Sequence, residues 1–192
     1  KVTREMVSGL AKTVLATRYN NPKPTPEFHE ELWELCCSDH PKVAISAPRG
    51  HAKTTAVTGS YLIATLVNRE RNYAMVLSDT EDQASEFLHE LKMEFRENEV
   101  LCDIYGVDRI IKDASTDMIV NFKDGHACRV IARGAEQKIR GKKWRGTRPD
   151  IIIVDDLENE ELVSSDTRRS KLKRWFYGSV LPAGSDDCVI RV

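Results

Sequence analysis

The sequence predicts an α/β domain built on a mostly parallel central sheet flanked by helices, with an antiparallel addition. Three observations predict it. Short apolar runs at 42–46, 73–78, 151–154 and 188–192 alternate with helical patterns. A loop of small residues joins the first of these strands to its helix. Asp124-Gly125 lies between two further apolar runs, which is the strongest short-range hairpin signal.

Taken in order, residues 2–17 suit a short helix, and the three prolines between Asn20 and Pro26 forbid regular structure, so that stretch is a loop or strap. Phe28 to Cys37 has Phe28, Leu32, Leu35 and Cys36 at helical spacing. Strand 42–46 leads through the small-residue loop into a helix ending near Asn68. Strand 73–78 follows, and Thr80 with Gln83 has capping-box spacing at the head of a long helix to about Asn98. Residues 118–122 and 127–132 form the two arms of the hairpin. Ile151 to Val154 is β-branched throughout, as suits a strand covered on both faces, and it ends in Asp155-Asp156. Ser165 caps a helix through Gly178, and one more strand begins at Cys188.

The chain has 192 residues, 41% of them hydrophobic and 31% charged, enough for one domain with a real core and short for two. That domain spans 1–192, with N-terminal helices and strap over 1–40 and the core over 41–192. Too much apolar material is present for a disordered tail, and no apolar stretch approaches the ~20 residues of a membrane-spanning helix. Net charge is −1, so any polyanion must be met by a local concentration of Lys and Arg. Five cysteines without a C-x-x-C pair read as reduced, structural thiols. The scattered histidines make no metal set. Lys1 and the final CVIRV read as the ends of a piece cut from a longer chain.

Ala47 to Thr54 has the frame G-x-x-x-x-G-K-[ST] with alanine at both glycine positions. Such a loop turns backbone N–H groups around phosphate oxygens, adds a lysine for the β and γ phosphates and a hydroxyl for Mg²⁺, and ends on a helix N-terminus. Pro48, Arg49, Gly50, His51, Ala52, Lys53, Thr54 and Thr55 are the candidate phosphate-contacting residues. Alanine at a position that needs positive φ is costly. Asp155, at the tip of an apolar strand, is the candidate carboxylate beside the metal, with Thr54 as its hydroxyl partner. Asp156 and Glu158 both remain open as the residue that positions the attacking water.

Between Arg129 and Arg148 there are eight Lys and Arg side chains against one acid, Glu136. The glycines at 134, 141 and 146 predict a mobile loop there. It can grip a nucleic-acid backbone or send an arginine into a neighbour's γ-phosphate site. The basic run from Arg168 to Arg174 reads as a wet helix face, with Leu172, Trp175 and Phe176 on its core side.

Four stretches, APRGHAKTT, VLSDTEDQA, IRGKKWRGTRPDIIIVDDLENEE and the Phe28-His29 helix, carry a resemblance that extends over nearly the whole chain. In them it resembles the ATPase domain of the large terminase subunit, the DNA-packaging motor of tailed bacteriophages and related viruses. The resemblance implies a P-loop fold of the ASCE type, with ATP hydrolysis, Mg²⁺ and translocation of double-stranded DNA. It implies a nuclease domain C-terminal to this chain, and partners in the portal protein and the small terminase subunit. It further implies a homo-oligomeric ring from a protein monomeric when isolated, acting in the host cytoplasm on a procapsid with no membrane. Lys53 and Thr54 match the family's lysine and hydroxyl, Arg49 its loop arginine and Asp155 its metal-side aspartate. Asp156 stands where many members carry a catalytic glutamate. Arg140 and Arg145 are both candidates for the arginine acting in trans, and Phe28 and His29 stand where related ATPases carry an adenine-reading glutamine. Two other functions fit the same core: a helicase-like nucleic-acid-dependent ATPase, and a nucleotide-binding module that does not hydrolyse.

Overall fold

The computed structural model describes residues 1–18, 24–47, 52–157 and 165–192. Helix α1 (Arg4–Gly9) is capped by the Thr3 hydroxyl, which accepts from Met6 N, and runs on through widened and tightened turns to Arg18. Helix α2 (Glu27–Cys37) buries Leu32, Trp33 and Cys36. Strand β1 (Lys42–Val43) is short, and a π-helical segment Thr55–Tyr61 continues directly into α3 (Leu62–Val67). Strand β2 (Tyr73–Ser78) is buried along its whole length, and α4 (Glu81–Glu97) starts on a Thr80 cap to Gln83 N, as the spacing predicts.

Two elements are absent from the sequence reading. Asn98 ends α4 and caps a separate helix, α5 (Glu99–Tyr105), by accepting from Leu101 N. Strand β3 (Val107–Ala114) then pairs antiparallel with β4 (Asp117–Phe122), which pairs antiparallel with β5 (Ala127–Gly134). The expected hairpin is thus two arms of a three-stranded meander. Strand β6 (Ile151–Val154), helix α6 (Asp166–Trp175) with its continuation through Val180, and β7 (Val189–Arg191) complete the chain.

The seven strands run in the order β1-β7-β6-β2-β5-β4-β3. Every pair from β1 to β5 is parallel, and the meander is the antiparallel addition. One face carries the larger core, with Ala74, Val76, Val130, Ile151 and Ile153 against α1 to α4. The other carries Tyr73, Met75, Leu77, Ile131, Ile152 and Val154 under Ile139, Leu172 and Val180. Alternate residues of one strand serve opposite cores, which is why the parallel strands are apolar without alternation. Burial pushes the thiols of Cys36, Cys128 and Cys188 up to about 12, as fits inert packing groups.

Two contacts tie the elements together. Gly134 ends β5 rather than interrupting a loop: a Cβ there would lie 2.6 Å from Glu81 N, so only glycine lets the head of α4 approach so closely. Arg191, 1% exposed, donates to the main-chain carbonyls of Cys36, His40, Pro41 and Ile190. The C-terminal end of α2 thereby receives a cation where the helix dipole favours one.

Residues 135–149 form a loop that is tied to the sheet at two points. After the top of β5 the chain crosses the second face of the sheet, burying Ile139, and Trp175 Nε1 donates to Gln137 O at 3.1 Å. It reaches the opposite end of the sheet at Trp144, whose ring meets Tyr73 edge-on with centroids 6.1 Å apart. Trp144 and Thr147 exchange two backbone hydrogen bonds of 2.9 and 3.0 Å around Arg145 and Gly146, both at positive φ. This is a two-residue type I′ turn. Ile139 and Trp144 are the points at which this glycine-interrupted loop is anchored.

Candidate nucleotide-binding site

Parallel α/β sheets present ligands at the carboxyl ends of their strands. Two such ends meet here. The first is the start of the helix after β1: Lys53 and Thr54 are helical, and Ala52 O accepts from Ala56 N at 3.1 Å. The second is the tip of β6, where Asp155 N donates to Leu77 O at 2.8 Å and so continues the ladder with β2.

Asp155 is 3% exposed. Its Oδ1 lies 3.9 Å from Lys53 Nζ, and its Oδ2 accepts from Thr58 Oγ1 at 3.4 Å. Both contacts are long for a buried carboxylate, whose desolvation normally demands tight partners. A small cavity of about 10 Å³, near the size that holds one water, is lined by Lys53, Thr58 and Asp155 with apolar neighbours. On its outer side Lys53 and Asp156 border one groove of about 370 Å³, whose other wall includes Lys173, Phe176 and Tyr177.

Ala52 has φ 50°. The second alanine of the degraded motif therefore takes the left-handed conformation that glycine takes without cost, at about 1–2 kcal/mol. Asp156 also has φ 50° and is exposed. Aspartate tolerates this region better than most residues, and such backbone gathers at functional sites.

Lys53, Thr54, Thr55, Asp155 and Asp156 are thus brought to one end of the sheet. Pro48, Arg49, Gly50, His51 and Glu158 lie outside the described residues. Arg140 and Arg145 separate. Exposed Arg140 follows buried Ile139 midway down the second face, and its guanidinium would lie 3.9 Å from a Cβ on Gly178. Arg145 is exposed on the type I′ turn beside Tyr73, at the far end of β2 from Asp155, about 17–20 Å away for a strand of this length. Arg145 therefore cannot serve this chain's own phosphate site. His29 is buried, its ring 5.8 Å from Trp33, while Trp33 Nε1 donates to Ala56 O at 2.9 Å and so secures α2 against the phosphate-loop helix. Thr58 went unnoticed in the sequence. Its signal is a hydroxyl four positions after Thr54, on the same helix face.

The donor set suits Mg²⁺. The ion takes hard oxygen ligands, keeps several waters and uses one or two carboxylates rather than an all-protein cage. Asp155 and the Thr54 hydroxyl supply that much, and among the described residues no group of three or more His, Cys, Asp and Glu could hold a metal unaided. No helix among them is long and apolar enough to cross a membrane.

A β1-β7-β6 order, with one strand between the phosphate-loop strand and the Asp155 strand, a helix opening on Lys53, and a buried aspartate facing that lysine define a P-loop NTPase-type domain. The chain belongs to the terminase family: "Terminase large subunit, T4likevirus-type, N-terminal" matches residues 44–174. It is similar in structure to the large terminase ATPase domain of Thermus phage P74-26, at TM-score 0.56 and 15% identity. An arginine-to-alanine mutant of that domain is similar at TM-score 0.63 and 14% identity. In both, 88% of this chain aligns and spans 64% of the solved chain. No curated protein matches the chain.

Proposed function

We propose that this domain hydrolyses ATP and, as part of a longer large terminase subunit, drives double-stranded DNA into a viral procapsid. The observation that carries this reading is the convergence of Lys53 and Asp155, 3.9 Å apart, at the carboxyl end of the sheet. Lys53 reaches the β and γ phosphates, the helix N-terminus behind it adds N–H donors, and the Thr54 hydroxyl and Asp155 hold the metal side. Mg²⁺, when bound, supplies charge neutralisation on the phosphate oxygens. Asp156, at the edge of the groove it shares with Lys53, orients the attacking water, and Glu158 is its rival for that role. Arg49 contacts the γ-phosphate from within the loop, and adenine is read near Phe28 and His29.

An arginine presented by a neighbouring copy completes the site. Of the two candidates, Arg145 projects from an end of the sheet remote from its own nucleotide, which suits action in trans. The portal protein, the small terminase subunit and the host cytoplasm follow from the family. The test is ATP binding and phosphate release by concentrated protein, with Lys53→Ala as control. Phosphate release unchanged by Lys53→Ala would remove the reading. Tight binding with no release at any protein concentration would select the non-hydrolysing module instead.

A further inference from the structure

Asp155 is a buried carboxylate whose two oxygens face different partners. Oδ1 turns toward Lys53, on the phosphate side, and Oδ2 toward Thr58. An ionised carboxylate only accepts hydrogen bonds, so the Thr58 hydroxyl donates. Thr58 is itself 3% exposed, and Asp155 Oδ2 is the partner its hydroxyl finds. The helix is shaped to bring it there. Residues 55–61 wind as a π-helix, like residues 10–14 and 176–180, and Ser60 Oγ reaches back to Thr55 O at 3.3 Å across it. Thr58 lies about one turn beyond Thr54 on this helix, and its hydroxyl comes within reach of Asp155.

We propose that Thr58 is a positioning residue for the metal-side carboxylate. By donating to Oδ2 it fixes the rotation of the Asp155 side chain, so that Oδ1 is presented to Lys53 and to the Mg²⁺ of a bound nucleotide. The inference rests on the nucleotide reading above and adds a residue to it. A structural threonine at this position would need only its methyl to pack. A positioning threonine needs its hydroxyl, and the two demands separate by substitution. Thr58→Val keeps the shape and removes the donor, whereas Thr58→Ser keeps the donor and removes the methyl.

The test uses the chain as it stands, with Mn²⁺ as the probe. Mn²⁺ binding is followed by electron paramagnetic resonance in the presence of a non-hydrolysable ATP analogue, and analogue binding is followed separately in EDTA. Thr58→Val is expected to raise the half-saturating Mn²⁺ concentration about tenfold, the scale of one lost hydrogen bond to a charged group, with metal-free nucleotide binding unchanged. Thr58→Ser is expected to restore wild-type metal affinity. Should Thr58→Val not fold, Thr58→Ala carries the comparison with Thr58→Ser, since it too lacks the hydroxyl. Unchanged Mn²⁺ affinity in the hydroxyl-free variant, or equal loss in Thr58→Ser, would overturn the role of Thr58 while leaving the nucleotide reading intact. Wild-type protein that binds neither analogue nor Mn²⁺ would overturn both.

Discussion

Two buried aspartates, one in each half of the sheet, are held in opposite ways. Asp117, at the start of β4 in the antiparallel meander, is 6% exposed and saturated. Arg129 grips both its oxygens at 2.9 and 2.6 Å, and Lys112 adds a third contact at 2.5 Å. Asp155, in the parallel half, is 3% exposed and has among the described residues only contacts of 3.9 and 3.4 Å. Equal burial with unequal partnering sets Asp155 apart from a carboxylate that holds the fold, as its proposed ligand role would require. A buried charge left loosely paired costs stability, and a protein keeps such a cost where binding or chemistry recovers it.

The largest effect expected from this contrast is on activity. Lys53→Ala and Asp155→Asn should each reduce ATP turnover by about 10²-fold or more, the scale of removing one preorganised charge-stabilising group. Steady-state phosphate release measures it. The same Asp155→Asn should leave the thermal midpoint unchanged or raise it, because it removes a poorly compensated buried charge. Asp117→Ala should do the reverse. It strands the largely buried Arg129, costs about 3 kcal/mol on the scale of a broken buried pair, and leaves nucleotide affinity unaltered. Urea unfolding of the two variants side by side would break the comparison if Asp155→Asn proved the more destabilised.

Acid sharpens it further. Burial raises the carboxyl pKa of Asp117, but hydrogen bonds from Arg129 and Lys112 more than offset this and hold it below the usual carboxylate range. A depressed folded pKa contributes stability above the unfolded value, near 4, and that contribution disappears as pH falls through the folded value. Wild-type protein should therefore lose an increment of stability below about pH 4 that Asp117→Asn does not lose. The smallest effect is expected at Ala52. Ala52→Gly relieves the positive φ but adds backbone freedom to the unfolded chain, for a net gain of about 0.5–1 kcal/mol with phosphate binding retained. Differential scanning calorimetry resolves a shift of that size.

The parallel half was legible in the sequence because strands covered on both faces must be continuously apolar. Tyr73–Ser78 and Ile151–Val154 stand out for that reason. Strand β3 was not. It forms the sheet edge, most of its side chains are exposed, and its Asp-Arg-Ile-Ile-Lys-Asp core obeys the need to keep an edge charged rather than the need to fill a core. Lys53 and Asp155 were recognisable from their local motifs. Thr58 was not, since its role arises from the strand that the fold sets beside it. Nor could spacing alone separate Arg140 from Arg145. What separates them is the path of residues 135–149 down the sheet, fixed by Ile139 and by the ring contact of Trp144 with Tyr73.

Arg191 binds the two ends of the described chain into one mechanical piece. Among the described residues its guanidinium donates to carbonyls and to no carboxylate, two of its bonds going to Cys36 O at the close of α2. Trimming residues 1–40 would thus leave a cation buried with its best acceptors gone. The N-terminal helices are accordingly a buttress of the last strand, and displacement of that strand during turnover would travel straight into them.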